Sequence, residues 1–316
     1  MSRPTPYSGR TRATASSSPT CRGYGDEWAA DGNDRLSSQH LGLGALSFGV
    51  FAIRDRFSGY IVALECVPDT CDADSLADVF LTAVELEQGV PSRLVIDNGP
   101  ENDKMLQVQV TLQYVSPSPP PFRPPLPPVD SELTLALSDR FRPTQTESSP
   151  PPYEVKTPNA SLLNLWSQWM RNEGRMLQHT IQVDAGPAGF DPDDGLHLAA
   201  ALFVWSQVIQ AHLDAVRRIA NMMRVRRQPN KVAGLISGHV PDMARRGWHG
   251  GERCIVPCSL DVVRGLRSSG VVGPTLGFVG AEFEVAAHWA HDEMGRPALR
   301  RVNAWDIWDE LCERLS

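Results

Sequence analysis

The chain has 316 residues, enough for one large domain or two small ones. Hydrophobic residues make up 41% and charged residues 21%, the balance of a soluble globular protein, and the net charge of −7 argues against a chain whose main task is to coat nucleic acid. Residues 1–25 are rich in Ser, Thr, Pro and Arg, and carry Arg3, Arg10, Arg12 and Arg22 without apolar periodicity. They read as a disordered basic tail, or as an arm that touches phosphate or serves in targeting. The six cysteines are sparse and no signal peptide precedes them, so reduced thiols in an intracellular protein are expected. The longest apolar stretch, 41–53, is too short and glycine-rich to span a bilayer, so no membrane insertion is expected.

Next in order comes Trp28-Ala29-Ala30-Asp31-Gly32-Asn33-Asp34. Ala29 and Ala30 are weak strand formers, and Asp31 to Asp34 would serve as a turn. Residues 45–55 and 60–67 are apolar at nearly every position and read as two buried strands joined at Phe57-Ser58-Gly59. A helix follows near 75–87, with Asp72, Asp74 or Ser75 as its cap, an apolar stripe through Leu76, Val79, Phe80, Ala83 and Val84, and Gly89 at its end. Leu94-Val95-Ile96 is a short strand that stops at Asp97, and Asn98-Gly99-Pro100 breaks the chain. Asp97 reads either as a turn aspartate or as a carboxylate at the C-terminal end of a buried strand, where open α/β sheets place their sites. Residues 102–114 fit both a strand, by alternation of Val108, Val110, Leu112 and Tyr114, and a helix from near Asp103, the preferred reading.

Residues 116–152 hold 12 of the 26 prolines and read as an insertion or linker, with Pro124-Pro125-Leu126-Pro127 as a motif for a proline-recognising partner. Helical periodicity resumes over 159–178, with Leu162, Leu165, Trp166, Trp169 and Glu173 on one face, and again over 191–228. The end of that second helix turns basic. Between Arg217 and Arg253 lie nine cations, among them Arg217, Arg218, Arg224, Arg226, Arg227 and Lys231, against Asp242 and Glu252 alone. They read as a solvated helix face or as a phosphate-binding surface. His249, Cys254 and Cys258 lack the spacing of a structural zinc site. From residue 267 a mostly helical C-terminal extension follows, to which no site is assigned.

The order Trp28-x-x-Asp31-Gly32-Asn33-Asp34, then Ser58-Gly59-Tyr60, then Gly89-Val90-Pro91, then Asp97-Asn98-Gly99-Pro100-Glu101-Asn102 resembles the catalytic core of retroviral-type integrases and DDE transposases. It is closest to the integrase-core proteins of fungal genomes. The resemblance is good over 28–102 and patchy over 159–266. It implies a ribonuclease-H-like mixed α/β sheet over about 26–115, interrupted by the proline-rich insertion 116–153 and completed by helices over 154–266. It also implies that Asp31 and Asp97 hold magnesium or manganese for DNA integration by strand transfer. The related proteins carry a third carboxylate three residues before a tryptophan of the helix that begins at Asn159. Here Leu163 stands three residues before Trp166, so an impaired site is expected, with Glu154 or Glu132 as the carboxylate that would substitute. DNA is the partner this implies, with a homo-oligomer possible and a nuclear location expected. The alternative is a decayed or domesticated copy, inactive in strand transfer, that binds nucleic acid or protein; a proline-rich interaction protein is the third reading.

Overall fold

The computed structural model describes residues 21–115, 153–155, 160–226 and 238–316. Most of the N-terminal tail, the proline-rich segment with Glu132, and Arg227 and Lys231 lie outside them. The architecture is mixed α/β. Five strands form the main sheet: β1 (Glu27–Leu36), β2 (Phe48–Asp55), β3 (Ile61–Val67), β4 (Arg93–Ile96) and β5 (Tyr153–Val155). Their order is β3-β2-β1-β4-β5. β2 runs antiparallel to both β1 and β3, whereas β4 and β5 run parallel to β1.

Side chains alternate across this sheet and each face is covered by helices. Trp28, Ala30, Phe51, Ile53, Leu94 and Ile96 face one core, closed by α1 (Ala73–Glu87), α2 (Asp103–Val115) and α6 (Leu260–Ser268). Ala29, Val50, Ala52 and Val95 face the other. That core is closed by α3 (Ala160–Trp169), α4 (Arg175–Ala185), α5 (Gly195–Met222) and α8 (Ala304–Leu315), with α7 (Ala281–Glu293) beside them.

Several sequence expectations change in contact with the fold. The resemblance implies a strand that ends at Asp31, and Asp31 to Asp34 alone would make a turn; instead β1 runs on through both, and the register slips only between Asn33 and Leu36. The helix reading of 102–114 holds. Met105, Val108 and Leu112 are buried at helical spacing, and Gln109 and Gln113 turn inward to donate to the Pro91 carbonyl at 2.8 and 2.7 Å. Gly89 is not the residue that ends α1. Gln88 takes the left-handed conformation there, at φ 56°. Gly89 instead lets the chain at Val256 approach, since a Cβ on it would lie 2.5 Å from the Val256 carbonyl oxygen.

The basic tail ends earlier than residue 25. Tyr24 is buried, Gly23–Tyr24 pairs with Glu252–Arg253, and Arg22 is bridged to Asp26 at 2.7 Å. The C-terminal residues are no appendage: Trp305, Trp308 and Leu311 of α8 belong to the same core as Ala29 and Val95. α5 is long and apolar enough to cross a membrane by length and composition. Half of its apolar window is buried inside the protein, against β3 and α8, which is the behaviour of a core helix.

Candidate functional site

β1 and β4 pair in parallel with Ala29 opposite Val95. Two residues further along, on the same face, come Asp31 and Asp97. The ladder ends at the pair of Ala29 and Val95, and its direction carries the two carboxylates to the same end of neighbouring strands, close enough for the Asp97 charge to act on Asp31. Both project towards the face covered by α3, and the Trp166 indole N–H donates to Asp31 Oδ2 at 2.9 Å. Burial, with the negative charge of Asp97, pushes the Asp31 carboxyl up to about 6, against the opposing pull of the Trp166 hydrogen bond.

Asp97 lies where β4 ends. Its Oδ1 is buried without a hydrogen-bond partner. Its backbone carbonyl accepts from the Asn102 amide at 3.2 Å, which ties the following turn, Pro100–Asn102, back under the strand end. That turn also brings the charge of Glu101 near Asp97. Glu101 folds over Gly99 so closely that a Cβ on Gly99 would lie 2.0 Å from its carboxylate. The Asp97 carboxyl is raised by burial first and by the Glu101 charge second. Beyond β1, Gly32 and Gly49 leave just enough room for Thr70, whose methyl would meet a Cβ on either at 3.2 Å or less.

The sequence-predicted residues divide into three groups. Asp31 and Asp97 come together. Glu154 sits on β5 opposite Val95, two residue levels short of Asp97. Leu163 is exposed on α3, one turn before Trp166. Glu101 and Trp166 were not singled out for the site by sequence reasoning. Glu101 was legible only as part of the Glu101-Asn102 motif, because its approach to Asp97 depends on the Gly99-Pro100 fold-back.

The basic segment lies elsewhere. At the end of α5, Asn221 accepts from Ile61 N at 2.7 Å and donates to Ile61 O at 2.9 Å, which fixes this end of the helix at the start of β3. Asp31 pairs with Ala52, which pairs with Leu64. The two places are thus separated by roughly 10 Å along the strands and ~10 Å more across two of them. Nor are all the cations available. Arg217 is paired with Glu65 at 3.3 Å and Asp214 at 3.5 Å. Arg245 is paired with the buried Glu87 at 2.8 Å and lies over the Tyr60 ring at 5.0 Å. Arg218, Arg224 and Arg226 are exposed, and no ion pair holds them among the described residues.

Among the described residues, no three His, Cys, Asp or Glu side chains converge as a cage for a metal ion. The donor set at Asp31 and Asp97 nevertheless suits one hard cation: two adjacent carboxylates, one with an orphaned oxygen. It does not suit a pair of ions, because one Asp31 oxygen is taken by Trp166 and Leu163 offers no lone pair. No family model matches the chain, and no curated protein matches it.

Proposed function

We propose that the protein is an integrase-like core of mobile-element origin, with a ribonuclease-H-like sheet, whose site holds one magnesium or manganese ion and is impaired in strand transfer. The observation that carries this reading is the setting of Asp31 on β1 and Asp97 at the end of β4, at the same end of neighbouring strands and on one face of the sheet. The antiparallel β2–β3 hairpin before α1 agrees with the order that the resemblance implies. Asp31 and Asp97 would hold the cation. When bound, it would supply a Lewis acid and a template for phosphate oxygens. Trp166 orients Asp31, and Glu101 adds negative charge beside Asp97. The third carboxylate that a second ion needs is missing at position 163.

Manganese titration of the purified chain, read by electron paramagnetic resonance, tests the site. Wild type should bind one ion, and Asp97→Asn should weaken binding at least about tenfold, the scale at which metal sites lose affinity when a supporting group is removed. Nicking and strand transfer by the wild type should be weak or absent, and Leu163→Glu should raise them. Strong wild-type activity, abolished by Asp97→Asn and indifferent to position 163, would place the third ligand elsewhere and make Glu101 and Glu154 the next residues to change. The absence of any manganese binding would sink the proposal.

A further inference from the structure

Between α4, α5 and the turn before α8 lies a cavity of about 540 Å³, within the size range of small-molecule sites. One wall is apolar, formed by Met176, Leu177 and Val208. Met176 is 55% exposed although it is apolar. The lining also includes Arg300 and Arg301, and no ion pair neutralises either among the described residues. Arg301 is held to α4 by a 3.5 Å contact with Thr180 Oγ1.

The partly buried His212 of α5 and the exposed Glu173 also line the cavity. Glu173 belongs to Met170–Gly174, a π-helical insertion between α3 and α4, a distortion frequent at functional positions. His212 Nε2 lies 3.3 Å from Glu173 Oε2 and 3.4 Å from the indole nitrogen of Trp169. One ring nitrogen cannot serve both. A neutral His212 with its proton on Nδ1 accepts from Trp169; a protonated His212 donates to Glu173.

We propose that this cavity binds a small anionic ligand, a phosphate monoester or similar oxyanion on an apolar body. Arg300 and Arg301 grip the oxyanion, Met176, Leu177 and Val208 pack the body, and His212, when protonated and donating to Glu173, adds a positive charge beside them. Three cationic or cationisable groups against the single carboxylate of Glu173 set the sign of the ligand. The apolar wall sets its body, because inorganic phosphate alone would leave that wall wet. The groups facing His212 are Glu173 from the π-helical insertion and Arg301 from the turn, while α4 contributes Met176 and Leu177. Burial holds the free His212 below its ordinary value; Glu173 opposes this and Arg301 adds to it. A bound anion favours the protonated ring, so affinity should rise as pH falls through the histidine range.

Phenyl phosphate titrated into the full chain, followed by the His212 ring proton resonance, provides the test. A saturable shift is expected. The double substitution Arg300→Ala/Arg301→Ala, at exposed positions, should weaken binding by about tenfold or more, the loss expected for charge-assisted hydrogen bonds. Inorganic phosphate should bind more weakly than phenyl phosphate. Benzenesulfonate, whose charge is constant, should bind more tightly at about pH 5.5 than at about pH 8, and His212→Asn should flatten that dependence. The absence of a saturable shift, or equal affinity in the arginine double variant, would overturn the proposal. Displacement of phenyl phosphate by a short DNA duplex would overturn it too, by making the cavity a contact for a polymer backbone. Neither result bears on manganese binding at Asp31 and Asp97, so the two readings fail separately.

Discussion

Asp31 shows what a single residue contributes to this fold and to its site. Its carboxyl is pushed up to about 6 from an ordinary 3.8. Between those values the folded chain holds a proton that the unfolded chain releases, so stability falls as pH rises through that window. Above it the folded state keeps an anion among buried groups and beside Asp97. Asp31→Asn removes that anion and keeps an oxygen for the Trp166 indole. With allowance for partial exposure, the gain at pH near 7.5 should be about 1–2 kcal/mol. For a chain of this size that corresponds to a Tm higher by about 2–8 °C, measured by calorimetry. The gain should vanish below about pH 3, where Asp31 is protonated in both states. Manganese should raise the wild-type Tm at neutral pH and leave Asp31→Asn nearly unchanged. A variant less stable than wild type at neutral pH would show that the carboxylate is not strained by its setting.

At the scale of elements, the β2–β3 turn shows why some of the chain was legible and some was not. Asp55, Ser58, Gly59 and Tyr60 carry their instructions locally. The buried Asp55 carboxylate accepts from Ser58 N at 2.7 Å and Ser58 Oγ at 2.6 Å, and also from Gly25 N at 2.8 Å. Gly59 sits at φ 74°, a conformation that a side chain resists. Gly59→Ala should therefore destabilise the fold by about 1–2 kcal/mol, measured by urea unfolding, with more if the Arg54 guanidinium 3.1 Å away cannot shift. An unchanged midpoint would mean that the turn relaxes into a right-handed conformation.

Elements of this kind announce themselves: a hairpin with a capped turn, an amphipathic helix such as α1, a strand ended by Asp97. β1 did not, because its central residues favour a turn and only pairing with β2 and β4 on either side makes it a strand. The π-helical insertion and the role of Glu101 were equally silent. Both depend on contacts between segments rather than on periodicity within one.

For the whole molecule, the placement of charge matters more than its amount. The sequence set nine cations between Arg217 and Arg253 and invited a single phosphate-binding surface. The fold divides them: Arg217 and Arg245 are held by Glu65 and Glu87, while Arg218, Arg224 and Arg226 face solvent at the far end of the sheet from Asp31. Cation binding and phosphate binding should then be separable. Replacing Arg218, Arg224 and Arg226 together with Ala should lower the salt slope of DNA binding by about one unit for each phosphate that the variant no longer neutralises. The same triple variant should bind manganese as the wild type does, because none of the three reaches the carboxylates. Asp97→Asn should do the reverse, losing the ion and keeping the slope. The measurement is DNA affinity across a series of salt concentrations, with manganese titrated in parallel. A slope that stays constant in the triple variant would leave these arginines as solvated surface. A manganese affinity that falls with them would mean that the two ends of the sheet act as one site.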